Sequence, residues 1–262
     1  MTDIIVKYGA DQYLFDIDNN RYIDLRMGAG TMVLGHNNDF MLNDIKENMN
    51  KGFLFSTNTY NELELIQTLN KTLPWCKKFI FCNTGTDAIM KLIRLARAIT
   101  NKKKICILAG CWHGGYNEVL LEENYETNQS YFISNGLLEN IKDNIIVLPN
   151  NIENIENILN ENYKDIALVL IEPIQQTVPQ NINDNLIIFL KKIRQITQDK
   201  NILLGFDEII TGFRFGPKSI QEYLDIYSDI TCFGKIISGG FPISFISISN
   251  SIFDKYNNLE KN

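Results

Sequence analysis

A mostly parallel α/β sheet with helices on both faces is the fold class this sequence predicts, and three observations predict it. Seven short apolar runs, at 79–82, 105–108, 145–148, 166–171, 202–206, 230–233 and 243–248, have strand length and are bounded by glycine or polar residues, as buried strands of a parallel sheet are. Stretches with apolar residues at helical spacing alternate with them, the pattern of βαβ units. Two of the runs end in charged groups: Asp207 and Glu208 follow Phe206, and Lys235 follows Phe233 and Gly234. Ligands of open α/β sheets bind at the carboxyl ends of the strands, so an acid and a lysine at two such ends suggest a site. Taken as isolated residues, Asp207 and Lys235 are equally a buried ion pair or two solvated charges.

In chain order, residues 8–25 read as a hairpin. Tyr13, Phe15 and Ile17 alternate with polar residues, Asp18-Asn19-Asn20 turns, and Tyr22, Ile23 and Leu25 return. The glycine-rich stretch from Gly28 to His36 follows, and His36 reads as a structural turn residue rather than a catalytic one. Residues 40–50 and 61–73 carry helical spacing through Met41, Ile45 and Met49 and then Leu63, Ile66, Leu69 and Leu73, with Pro74 as a stop. The linking segment FLFSTNTY, between the two, would carry the chain towards the large domain.

That strand runs into Asn83-Thr84-Gly85-Thr86-Asp87-Ala88 and a helix with Ile89, Leu92, Ile93, Ala96 and Ile99 on one face. A small-residue turn at a helix N-terminus is an anion site, because free N–H groups and the helix dipole point to one spot. On its own, T-G-T is also an ordinary N-cap. The strand at 105–108 ends in Ala109-Gly110-Cys111-Trp112-His113-Gly114-Gly115-Tyr116. Residues 122–143 are polar and read as a loop that covers the site. Helices are expected over 152–159 and 185–198, with the strand at 166–171 between them ending at Glu172-Pro173.

Composition narrows the function. Of 262 residues, 45% are hydrophobic and 21% charged, enough to form a sizeable core. A net charge of −6 gives no reason to expect nucleic acid or an anionic membrane as partner. No apolar run approaches the roughly 20 residues of a membrane span, and the first residues lack a secretory h-region. A cytoplasmic protein is therefore expected. The five cysteines form no C-x-x-C pair and only two histidines are present, so neither disulfides nor a metal is expected.

The stretch DEIITGFR, followed by a strand and then GKIISGGFP, resembles the cofactor site of the class III pyridoxal-phosphate-dependent aminotransferases, a group that includes glutamate-1-semialdehyde aminomutase. FCNTGTDA followed by RLARAIT is similar to the family's phosphate-binding S-G-T-E-A segment, with Thr84 and Asp87 as conservative departures. GCWHGG resembles its G-x-Y-H-G segment, and Ile171-Glu172-Pro173 its strand-end E-P.

The resemblance implies the aspartate-aminotransferase fold (fold type I), pyridoxal 5'-phosphate as cofactor, small amino donors and carbonyl acceptors as substrates, and a homodimer. It implies that Lys235 carries the cofactor as a Schiff base and that Asp207 pairs with the pyridine nitrogen. Burial and a neighbouring cation favour the neutral amine such a lysine needs, and a carboxylate beside the nitrogen keeps the ring an electron sink. Gly85 and Thr86 would hold the phosphate and Trp112 would stack on the ring. His113 would contact the ring's edge or fix the loop. Glu172 and Ile210 would complete the pocket. Gly234, Gly239 and Gly240 would allow backbone shapes that a Cβ obstructs.

By the same comparison residues 1–50 form an N-terminal hairpin and helix segment and 51–262 the large cofactor-binding domain, with the small C-terminal domain absent. Ala29 stands where the aminomutases place a tryptophan, Thr177 matches neither branch, and the apolar Ile210 leans to the aminomutase side. Aminotransfer is the leading reading, a 1,2-aminomutase the alternative, and an incomplete, non-catalytic cofactor-binding module the third.

Overall fold

The computed structural model describes residues 4–52, 54–124, 129–177 and 181–259. Phe53, the start of the expected linker, lies outside them, as do residues 125–128 of the expected loop. The chain opens with a three-stranded antiparallel sheet: β1 (Val6–Ala10), β2 (Tyr13–Asp16) and β3 (Arg21–Ile23). The expected hairpin is β2–β3, and β1 adds a strand that Gly9 and Lys7 disguise in the sequence. Asp16 builds the β2–β3 turn by accepting from the Asp18 and Asn20 amides at 2.9 and 2.8 Å, the local bonding that favours Asp in turns. The left-handed turn α1 (Met27–Gly30) follows, then α2 (Asp39–Met49), whose N-cap Asn38 accepts from the Met41 amide.

His36 ties this segment together. Its Nε2 meets Asp24 Oδ2 at 2.8 Å, and its backbone exchanges hydrogen bonds with Asp11 at 2.7 and 2.9 Å. Gly9 packs under the ring, where a Cβ would lie 2.7 Å from the imidazole.

Helix α3 (Tyr60–Thr72) leads to the seven-stranded sheet, in the order β4 (Cys76–Cys82), β12 (Ser244–Ser249), β11 (Ile230–Phe233), β10 (Leu203–Glu208), β9 (Ile166–Ile171), β5 (Lys104–Leu108) and β8 (Ile145–Leu148). All seven predicted strands are present. The pairs among β11, β10, β9, β5 and β8 are parallel, and β12 runs antiparallel to both of its neighbours. β10 extends past the predicted 202–206 to take in Asp207 and Glu208, since parallel pairing with β11 continues to Glu208–Phe233.

Helix α4 (Gly85–Thr100) covers one face of the sheet and buries Ile89, Leu92 and Ile93. Helices α5 (Ile152–Asn162) and α6 (Asp184–Asp199) cover the other with Ile155, Leu159, Leu190 and Ile193. Short helices α7 (Ile220–Leu224) and α8 (Phe253–Leu259) complete the chain.

The stretch expected as a loop at 122–143 instead contains the hairpin of β6 (Leu121–Asn124) and β7 (Gln129–Phe132), and then a 3-10 turn at Glu139–Asn144. Leu121 anchors the hairpin in the core, and alternation too short to register in the sequence hid it. All five cysteines are free thiols, and among the described residues no helix is long and apolar enough to cross a membrane.

A smaller aromatic core holds β12 and β4 together. Phe245, 1% exposed, stacks on Phe233 at 4.9 Å between ring centroids and meets the edges of Phe79 and Phe81. Phe245→Ala is expected to lose about 3–5 kcal/mol of stability, the usual cost of emptying such a site, measured by urea unfolding.

Candidate active site

A cavity of about 220 Å³ opens at the carboxyl ends of β9, β10 and β11 and the N-terminus of α4. Gly85, Thr86, Trp112, His113, Glu172, Asp207, Ile210 and Lys235 all line it, together with Thr84, Gly114, Gln176 and Ile209. The eight residues singled out in the sequence therefore meet in one place, although they come from separate segments.

At one wall, α4 begins. Thr84 caps it by accepting from the Asp87 amide at 3.1 Å, leaving the first N–H groups of the helix at the cavity. Thr86 Oγ1 accepts from the Gly115 amide at 3.1 Å. Gly114 lies beneath it with φ +86°, and a Cβ there would come within 2.5 Å of that hydroxyl. The two glycine-rich turns thus form one cradle with positive electrostatic character.

The adjoining wall is Trp112 and Glu172. Trp112 is 45% exposed, with its amide donating to Glu172 Oε2 at 3.0 Å. Burial, and next the charge of Asp207, push the Glu172 carboxyl up to about 7.

At the floor, Asp207 ends up almost wholly buried. Its Oδ2 faces His113 Nδ1 at 2.9 Å and its Oδ1 accepts from the Ile209 amide at 3.0 Å. Burial disfavours a charged His113, but the hydrogen bond it makes to Asp207, with the nearby Cys111 and the Asp207 charge, outweighs it and the imidazole is pushed up to about 10. Its Nε2 is buried with no protein partner.

Lys235 follows β11 with φ +46° and starts a 3-10 turn over Lys235–Ser238. Its Nζ donates to Ala29 O at 3.3 Å, so Asp207 is paired with His113 and not with the lysine. Burial, then the Arg214 cation, lower the proton affinity of this amine.

Gly239 and Gly240 have φ of +54° and +99° and need glycine, whereas Gly234 is extended at φ −167° and does not. Sequence reasoning missed Gln176 and Ile209. Gln176, five residues beyond the strand that ends at Ile171, points its amide to Trp112 O at 3.5 Å, and a polar residue shortly past a strand end was the available signal. Ile209 was hidden by its apolar character; its Cδ1 would lie 2.6 Å from a Cβ on Gly85. Thr177 turns away to bond Gly110 O and does not line the cavity.

These groups fit pyridoxal phosphate. An aromatic plate, a buried carboxylate with spare lone pairs, an unpartnered imidazole nitrogen, a lysine with lowered proton affinity and a helix N-terminus together complement a planar cationic ring bearing an aldehyde and a phosphate.

The class-III aminotransferase family model matches residues 1–261. The glutamate-1-semialdehyde 2,1-aminomutase of Methanocaldococcus jannaschii is 37% identical over 256 residues, 97% of this chain and 60% of that protein. The enzyme of the same name from Wigglesworthia glossinidia brevipalpis is 40% identical over 92% of this chain and 56% of its own length. Among solved structures, an omega-transaminase from Sphaerobacter thermophilus superposes with a TM-score of 0.87 at 27% identity, covering 95% of this chain and 58% of that one. A glutamate-1-semialdehyde aminomutase from Pseudomonas aeruginosa PAO1 shares the fold with a TM-score of 0.87 at 20% identity, over 98% of this chain and 56% of its own. The chain belongs to the class-III aminotransferase family, whose pyridoxal-phosphate fold it has. It spans about 60% of the length of the curated relatives it matches.

The Glu172 carboxyl gives a pH prediction. Its proton is held up to about 7 in the folded chain against an ordinary value of 4.5, so between those values the folded state binds more protons than the unfolded one and stability falls as pH rises. Glu172→Gln removes this contribution. The variant is expected to gain on the wild type as pH is raised from 5 to 8, by at most about 2–3 kcal/mol, measured by denaturant unfolding at each pH.

Proposed function

We propose that this chain is the cofactor-holding part of a pyridoxal-phosphate-dependent enzyme that transfers an amino group between an amino compound and an oxo acid, aldehyde or ketone. In this reading residues 51–262 are the large domain and residues 1–50 an appended segment. The observation that carries the reading is the convergence of Lys235, Asp207, Trp112 and the Gly85-Thr86 turn on one cavity. When bound, pyridoxal phosphate supplies an electron-withdrawing ring that stabilises negative charge at the carbon bearing the amine.

The residues divide the remaining work. The first N–H groups of α4, with Gly85 and the Thr86 hydroxyl, bind the phosphate. Trp112 offers its face to the ring and limits water on that side. Asp207, oriented by His113 and the Ile209 amide, holds a proton at the ring nitrogen. Lys235 would hold the cofactor through its aldehyde, for which it needs the neutral amine that burial and Arg214 favour. The same amine would serve as general base and acid, taking a proton from one substrate position and returning it at a neighbouring one.

The 1,2-aminomutase reading is favoured by a specific observation. The two curated relatives above, at 37% and 40% identity, both carry that name, and the apolar Ile210 at the cavity agrees with it. A homodimer accompanies either reading. The exposed apolar side chains of the N-terminal segment, Ile5, Leu25, Phe40 and Met49 among them, are of the kind that pairing surfaces use. The free thiols, four of them buried, accord with a reducing cytoplasm.

The test is the visible spectrum of the purified chain with added pyridoxal phosphate. Wild type is expected to show a protein-bound band that borohydride fixes to the peptide containing Lys235, and Lys235→Ala is expected to show only free cofactor. Identical spectra for the two would mean that the chain does not hold the cofactor through this lysine. Glutamate 1-semialdehyde supplied alone separates the two activities. Conversion to the isomeric amino ketone without a second substrate marks the mutase, and a requirement for an added donor or acceptor marks the transaminase.

A further inference from the structure

Arg214 has so far entered only as a charge near Lys235, and its own hydrogen bonding is unusual. It is exposed on the loop after β10, yet both of its hydrogen bonds go to main-chain oxygens. Nε donates to Ile210 O, four residues back, and Nη2 donates to Gly30 O in α1, 184 positions away in sequence.

The turn it grips is strained. Met27, Gly28, Ala29 and Gly30 have φ of +44°, +60°, +55° and +81° in succession, a left-handed run that costs non-glycine residues about 1–2 kcal/mol each. Such backbone persists where its surroundings over-determine it. The guanidinium lies against Gly30, where a Cβ would fall 2.6 Å from Nη2 and 3.2 Å from Cζ. The preceding carbonyl of the same turn, Ala29 O, accepts from Lys235 Nζ at 3.3 Å. Two cations from distant parts of the chain are therefore bonded to consecutive carbonyls of one strained turn.

We propose that Arg214 is a positioning residue for Lys235, clamping the Met27–Gly30 turn so that Ala29 O holds the amine at the cavity. The inference rests on the reading of Lys235 as the cofactor-bearing amine, and deepens it. Each part follows from the geometry. A planar fork fixes two carbonyls in one relative geometry, which a freely rotating ammonium does not. Both oxygens are neutral acceptors, so the positive charge is left uncompensated beside Lys235. The other groups acting on the lysine are Asp207 from the end of β10 and Glu172 from the end of β9, both of which favour its charged form, with Asp207 itself paired to His113. Arg214 opposes them. Gly30 is needed in this scheme for contact as well as for φ, because any side chain there would push the guanidinium away.

The experiment is competitive labelling of the cofactor-free chain at pH 8 with dilute acetic anhydride. Modification of Lys235 is read by peptide mass spectrometry and normalised to the exposed Lys164, with circular dichroism as the check on folding. Arg214→Ala is expected to label Lys235 about three- to tenfold more slowly, the change in free amine for half to one pKa unit from a neighbouring charge. Gly30→Ala, which leaves Arg214 in the chain but denies it the turn, is expected to change in the same direction. Arg214→Lys, which keeps the charge and loses the fork, is expected to fall between wild type and Arg214→Ala. Labelling of Arg214→Ala at or above the wild-type rate overturns the proposal, even if hydrogen exchange in the turn increases. Because no cofactor is present, this outcome is separate from failure of the functional reading, which would appear as a missing borohydride-fixed band in the wild type.

Discussion

The buried pairing of Asp207 with His113 is the interaction on which the site depends. A carboxylate taken out of water is costly unless hydrogen-bonded or matched by charge, and here a fully buried imidazole and a backbone amide satisfy it together. The pair ties the carboxyl end of β10 to the loop after β5, which carries Trp112 and the Gly114 that packs on Thr86. One hydrogen-bonded contact therefore sets the relative placement of the floor, the aromatic wall and the α4 cradle. It also directs the second imidazole nitrogen, which lacks a protein partner, within the lining of the cavity.

Electrostatics in the cavity work by opposition. Asp207 raises the proton affinity of Glu172, and burial acts in the same sense. Burial and Arg214 lower that of Lys235. Neighbouring groups pushed in opposite senses are what acid–base chemistry near neutrality requires. Glu208 shows the structural version of the same problem. It follows Asp207 in sequence but sits in a closed network with Ser219, Gln221 and the Ile220 amide. It fastens the far end of the loop that bears Ile210 and Arg214.

Much of this was legible in the sequence because the buried strands are continuous apolar runs, and because a charged residue at the end of such a run has few structural uses. Gly85, Thr86, Trp112, His113, Glu172 and Ile210 followed from the family resemblance and Gln176 and Ile209 from neither, whereas all seven strands could be placed on the apolar runs. Lys235 and Asp207 stood out for the same reason. What could not be read depended on contacts between distant segments. Strand β1, with Lys7 and Gly9 in it, has too little alternation to register. The β6–β7 hairpin reads as a loop because its short strands are mostly polar. The partner of Asp207 could have been Lys235 by sequence alone, and only the fold brings His113 to it across 94 positions. Arg214 stood within a quoted motif without a role, because its partners are backbone oxygens and leave no trace in residue identity.

The reversed direction of β12 has a consequence for the lysine arm. A parallel successor to β11 would have required a long crossover away from the site. The antiparallel strand instead begins at Ser244, whose hydroxyl donates to Thr84 O at 2.7 Å, so the ten residues from Gly234 to Ile243 leave and re-enter the sheet at the same end of its strands. The backbone beneath Lys235 is anchored at both ends over a short arc. The amine can swing only through its own side-chain bonds, like a boom on a fixed mast, and its reach is set by four methylenes rather than by a wandering loop.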